Sequence, residues 1–153
     1  MNTIIFTDLI IAMLLGGMTV IISCLFHYEI LHRLQVKILD KIKKESLKKF
    51  LILTIVLFSA HTVEVWLYTL VYLGLNYLGA GSLQGEALSG SWLDYIYFST
   101  ATYTTLGVGD IYPIGVMRLI TGIEAVNGLM LIAWSATFLY FHMEKRWIGV
   151  GKV

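Results

Sequence analysis

The sequence Trp92-Leu93-Asp94-Tyr95-Ile96-Tyr97-Phe98-Ser99-Thr100-Ala101-Thr102-Tyr103-Thr104 runs directly into Thr105-Leu106-Gly107-Val108-Gly109-Asp110. The first part is apolar and aromatic. As a helix it reaches only about 20 Å, short of a hydrocarbon core of about 30 Å. Ser91 fits as its N-cap, with Asp94 as partner in a capping box. A short apolar helix that ends in glycines reads as a re-entrant loop, buried in protein or lining a water-filled cavity. The alternating Gly107 and Gly109 permit positive φ without steric cost. Alternate left- and right-handed residues can turn successive carbonyls to one side. A ring of such carbonyls can replace the water shell of a cation, and the negative end of the preceding helix would point at that cation. One such loop cannot close a ring, so the expectation is four copies in a homotetramer.

The rest of the chain gives that loop a membrane setting. Hydrophobic residues make up 58% of the 153 and charged residues 14%, against about 45–50% and about 25% in soluble domains. These figures exclude a disordered chain, an ordinary soluble enzyme and a nucleic-acid binder. The single cysteine, Cys24, excludes a disulfide scaffold. Three apolar stretches predict three spans: residues 1–27, an outer helix over 50–79 and an inner helix over 115–142. The pore helix is placed at 92–104 and the carbonyl loop at 105–110, within a unit spanning 50–143. Gly- and Ser-rich residues 80–91 read as a flexible external loop.

Lys and Arg set the orientation. Arg33, Lys37, Lys41, Lys43, Lys44, Lys48 and Lys49 lie between the first two spans, and Lys145, Arg146 and Lys152 follow the third. The positive-inside rule places these in the cytoplasm, with the N-terminus outside and the C-terminus inside a cell membrane. Residues 28–49 carry Leu31, Leu34, Ile38 and Ile42 at helical spacing among basic side chains. They read as an amphipathic helix whose basic face meets anionic lipid headgroups, or as a solvated helix joining two spans. Ile21-Ile22-Ser23-Cys24 looks like a lipoprotein cleavage box, but cleavage there would leave the basic run outside. Residues 144–153 read as a short cytoplasmic tail, too small for a regulatory ligand domain.

Thr104–Asp110, followed by Ile111-Tyr112-Pro113, resembles the selectivity filter of potassium channels. The resemblance extends back through Tyr97-Phe98-Ser99 and forward to Arg118 and Gly128, where the family often has an inner-helix glycine hinge. It implies an all-α pore-loop channel of tetrameric architecture with one additional N-terminal helix and potassium as the permeant ion. It implies that the Thr105 hydroxyl and the carbonyls of Thr105, Leu106, Gly107 and Val108 coordinate dehydrated K+, with Gly109 at the outer mouth. Thr104, Asp110 and Tyr97 would support the filter, with the Tyr97 hydroxyl bonded to Asp110. Two positions depart from the pattern. Val108 replaces the usual tyrosine and cannot donate a hydrogen bond, which puts potassium-over-sodium selectivity in question. Ala101 stands where some bacterial relatives have a glutamate.

Ionisable groups inside spans are costly and point to function. His61 and Glu64 on the second span, and Glu124 with Asn127 on the third, share helical faces at i, i+3. His61, Glu64 and Glu124 are expected to form one cluster behind the filter, acting as a gating switch or an interhelical clamp. A metal site from these residues is weak, because the second histidine of the metal-enzyme motif is missing. Gly128 reads as a hinge or as a close-packing position. Trp134, Phe138 and Phe141 are candidates for a hydrophobic gate. With no Arg-rich span, no ligand domain and no nucleophile–base pair, the reading is a voltage-independent potassium channel and not an enzyme. The rival readings are a non-selective monovalent cation channel and a non-conducting membrane sensor or interaction subunit.

Overall fold

A computed structural model describes residues 2–38 and 47–150. Helix α1 covers Asn2–Arg33 and widens into a π-helical turn at Leu34–Ile38. Helix α2 covers Leu47–Tyr77, α3 covers Trp92–Tyr103 and α4 covers Met117–Val150. Strands β1, Gly81–Gln84, and β2, Tyr112–Gly115, pair antiparallel with Gly81 opposite Gly115 and Gln84 opposite Tyr112. Three helices are long and apolar enough to cross a membrane, over Phe6–Val36, Leu47–Tyr77 and Met117–Glu144.

The helix α3 starts as its sequence predicts. The Ser91 hydroxyl accepts from the Leu93 amide, and the Asp94 carboxylate accepts from the Ser91 amide at 3.1 Å and the Ser89 amide at 2.9 Å. This satisfies donors that the first helical turn leaves open. The helix ends where Thr104 and Thr105 turn the chain back.

Three expectations change. The first helix does not stop at residue 27 but continues through Arg33, since no proline or glycine interrupts residues 18–38. Leu31 and Leu34 are buried inside the chain, and Leu34 packs with Leu53 and Phe138 at one end of the bundle. These two positions of the amphipathic stripe therefore face protein rather than lipid, and residues 39–46, including Ile42, lie outside the described residues. The inner helix likewise runs past residue 142 to Val150, because nothing breaks it before Gly149.

The third change concerns residues 80–91. Part of this Gly-rich segment is strand β1, and its glycines serve close approach. A Cβ on Gly81 would lie 2.7 Å from the Ile114 carbonyl oxygen, and one on Gly85 would lie 2.0 Å from that of Asp110. The segment is thus laid against Asp110, at the far end of the loop that follows α3. The core under it joins all the helices: Ala12 from α1, Tyr68, Tyr72 and Leu75 from α2, Phe98 and Tyr103 from α3, and Ile120 from α4.

Candidate functional site

The loop after α3 has the alternation its glycines suggest. Thr105, Gly107 and Gly109 have φ of 57°, 56° and 86°, with Leu106 and Val108 between them in ordinary conformations. Thr105 is the one residue other than glycine with positive φ among the described residues. Its amide donates to the Thr102 carbonyl at 2.9 Å, and the Leu106 and Gly107 amides both donate to that of Ala101, at 2.8 and 3.3 Å. In a trans peptide the C=O points opposite to the N–H. The Thr105 and Leu106 carbonyls therefore point away from the end of α3. Every residue from Thr104 to Gly109 is exposed on the single chain, Leu106 at 69% and Val108 at 55%.

Asp110 follows as a brace. The Tyr97 hydroxyl donates to its carboxylate at 2.9 and 3.0 Å, and the Ile111 amide donates to it at 3.0 Å. The hydrogen bond to Asp110 pushes the Tyr97 phenol up from its ordinary pKa. This is the contact expected from the sequence, and it links α3 to the outer end of the loop.

Behind the loop, the predicted single cluster of His61, Glu64 and Glu124 is two clusters. Glu124 on α4 accepts from the Ser99 hydroxyl on α3 and the Tyr72 hydroxyl on α2, each at 2.5 Å. Glu64 instead bonds His61 at 2.9 Å, His27 of α1 at 2.8 Å and the Tyr103 hydroxyl of α3. Ser135 on α4 lies within hydrogen-bonding distance of both histidines, 3.0 Å from His61 and 3.1 Å from His27. The separation has a helical cause: Glu124 meets Ser99, one turn before the end of α3, and Glu64 meets its last residue, Tyr103. Asn127, expected beside Glu124, turns to α1 and α2 and donates to Ser23 at 2.7 Å and Tyr68 at 3.0 Å. The sequence reading missed His27 and Ser135. Ending the first span at residue 27 put His27 at a membrane boundary; in the longer helix it is fully buried.

Gly128 is a contact position. A Cβ there would lie 2.2 Å from the Tyr103 carbonyl oxygen and 2.9 Å from its ring. Close packing through a small residue accounts for it without a hinge. Among the gate candidates, the Trp134 ring lies 5.4 Å from His27, Phe138 packs 4.3 Å from His142, and Phe141 stays 60% exposed.

A family described as ion channel matches residues 50–140. The chain belongs to this ion channel family. The matched residues hold most of α2, α3, the loop after it and most of α4, a potassium-channel pore domain to which α1 is added. The chain is 31% identical over 87 residues to the inward rectifier potassium channel Kirbac3.1 of Paramagnetospirillum magnetotacticum, covering 56% of this chain and 30% of that protein. It is 48% identical over 50 residues to the uncharacterized membrane protein YdjJ of Bacillus subtilis, covering 32% of this chain and 15% of that one. The chain thus spans less than a third of either relative. No solved structure gives a significant match. The chain is a multi-pass membrane protein, with three helices long and apolar enough to cross a membrane among the described residues.

Proposed function

We propose that the chain is a passive, voltage-independent potassium channel that works as a homotetramer. The observation that carries this reading is the exposed loop with left-handed Thr105, Gly107 and Gly109, its amides held by the end of α3. Four such loops around an axis would present the carbonyls of Thr105, Leu106, Gly107 and Val108, with the Thr105 hydroxyl, to dehydrated K+. Gly109 would form the outer mouth, and Thr104, Tyr97 and Asp110 would hold the filter from behind. No enzymatic step or cofactor enters this account; potassium is the permeant ligand. The Lys- and Arg-rich connection supports a cytoplasmic placement in a cell membrane, with the N-terminus outside and the Lys37–Lys49 run at anionic headgroups.

The second reading, a cation channel with poor discrimination between potassium and sodium, is favoured by Val108, which has no hydroxyl to anchor its side chain. Against it stands the Tyr97–Asp110 contact, which braces the same part of the loop by another route. Tyr97→Phe is therefore expected to leave assembly intact and lower the ratio of potassium to sodium flux a few-fold, since only one hydrogen-bonding hydroxyl is lost. An unchanged ratio would remove Tyr97 from the filter support.

The direct test is the purified protein in liposomes under a potassium gradient, with flux compared against sodium and challenged with barium. Barium-sensitive potassium flux from a cross-linked tetramer is expected. Equal sodium flux would favour the non-selective reading. Absence of both fluxes from a verified tetramer would favour a non-conducting sensor or interaction subunit.

A further inference from the structure

Two histidines, one carboxylate and one serine close a ring in the middle of the membrane-spanning bundle. Glu64 Oε1 lies 2.8 Å from His27 Nδ1, and His27 Nε2 lies 3.1 Å from Ser135 Oγ. Ser135 Oγ lies 3.0 Å from His61 Nε2, and His61 Nδ1 lies 2.9 Å from Glu64 Oε2. His27 and Glu64 are fully buried. Each contact of this ring needs one proton between its two heavy atoms. The four contacts therefore need four protons. A serine and two neutral imidazoles supply three, and an ionised carboxylate supplies none. With only three, the Ser135 hydroxyl faces two acceptor nitrogens and can donate to one.

We propose that the ring His27–Ser135–His61–Glu64 is a binding site for one additional proton, and that its occupancy sets how firmly the inner helix α4 is tied to α1 and α2. The loaded ring is neutral in total, which suits a site without water. Tyr103 gives it a direction. Its hydroxyl donates to Glu64 Oε2, marking that oxygen as acceptor and Oε1 as the place for the proton. The circuit then runs from Glu64 Oε1–H to His27 Nδ1, from His27 Nε2–H to Ser135, from Ser135 to His61 Nε2, and from His61 Nδ1–H to Glu64 Oε2. The alternative placement, imidazolium beside carboxylate, contains the same number of protons.

The groups facing the ring are few. On α1, Cys24 is near enough to feel Glu64. From α3 comes Tyr103, whose hydroxyl also lies 2.9 Å from His61 Nδ1. On α4, Trp134 lies against His27. Glu124 and Tyr68 act on Tyr103 from farther away. None of these groups supplies a missing donor between the two Nε2 atoms. Of the ring's members, His61 is 21% exposed on the single chain and lines a groove of about 390 Å³ whose wall is mostly apolar, with Thr62, Thr100 and Thr104 among its hydroxyl-bearing residues. Distances of 2.8 and 2.9 Å between ligand atoms also speak for shared protons, because ligands of a tetrahedral zinc ion at about 2.0–2.1 Å would stand about 3.3 Å apart.

The ring joins α1, α2 and α4, and through Tyr103 it reaches the residue two positions before the filter threonine. Because the native ring binds the extra proton, its contribution to stability is present at lower pH and lost as pH rises through release. Release leaves Ser135 with one broken contact, which frees α4 from one of its two ties to the α1–α2 pair at this level. The regulatory half of the proposal rests on the channel reading; the proton site does not.

Glu64→Gln gives a sharp test. Its carboxamide supplies an acceptor for Tyr103 and His61 and an N–H for His27, so the ring is complete without an added proton. Nitrogen-15 solid-state spectra of histidine-labelled full chain in liposomes should show one proton released from the wild-type ring as pH is raised, with thermal stability falling across the same step. Glu64→Gln should keep fold and stability and show no such step, and Ser135→Ala should also lack it because the ring is open. Wild-type spectra with no change of tautomer or protonation at His27 or His61 across the pH range, an unaltered step in Glu64→Gln, or stoichiometric zinc in the isolated protein would overturn the proposal. Potassium flux should change across the step in wild type and not in Glu64→Gln; flux that ignores the step would refute the regulatory half. Absence of flux at every pH counts against the channel reading, and the spectra still decide the proton site.

Discussion

Gly128→Ala is expected to lower thermal stability and abolish flux together. The added Cβ would meet the Tyr103 carbonyl oxygen at 2.2 Å, an atom of the backbone that cannot rotate aside. A gap of roughly 1 Å must open between α4 and the end of α3, and overpacking of this kind typically costs about 1–3 kcal/mol per chain. Alanine is the better helix former, so intrinsic propensity pulls the other way by about 1 kcal/mol. The contact with a fixed carbonyl outweighs it. The displacement falls on Tyr103, which bonds Glu64 and precedes the filter. A melting curve and a liposome flux assay check this. Unchanged stability with altered opening would instead identify Gly128 as a hinge.

Gly107→Ala should leave assembly intact and cut potassium flux about a thousand-fold. No neighbouring atom within one chain meets the new Cβ, so the cost is conformational. At φ of 56° a side chain costs about 1 kcal/mol, and Thr105 at 57° shows that one chain can hold such a residue. In a tetramer the four loops must be right at once, which makes about 4 kcal/mol, close to three factors of ten. A flipped peptide would turn the Leu106 carbonyl away from the ions and release the Gly107 amide from Ala101. Oligomer size and flux measured on one preparation separate this outcome from misfolding. Flux at the wild-type level would mean that the left-handed conformation at 107 has no part in conduction.

The filter loop and its helix were legible in the sequence because their signals are local. Glycines at alternate positions permit left-handed φ, Ser91 and Asp94 cap one turn, and Tyr97 is one helical face away from the returning chain. The spans follow from length and composition. What escaped depends on how helices meet. Glu64 and Glu124 share a depth in the sequence reading, yet one bonds the last residue of α3 and the other its middle. His27 sits 34 positions before His61 on another helix, and no periodicity says that their faces converge. The glycines of residues 80–91 were ambiguous in kind, since flexibility and close approach call for the same residue. Gly81 and Gly85 serve close approach.

The central claim is that this loop passes potassium by replacing its water with backbone carbonyls despite valine at position 108. The measurement that bears on it most directly is the reversal potential of the purified channel in a planar bilayer with potassium on one side and sodium on the other. A reversal potential displaced far toward the potassium equilibrium value, abolished with the current by barium, is predicted. A reversal potential near zero with a sustained current would contradict it and assign the loop to a cation pore without selectivity.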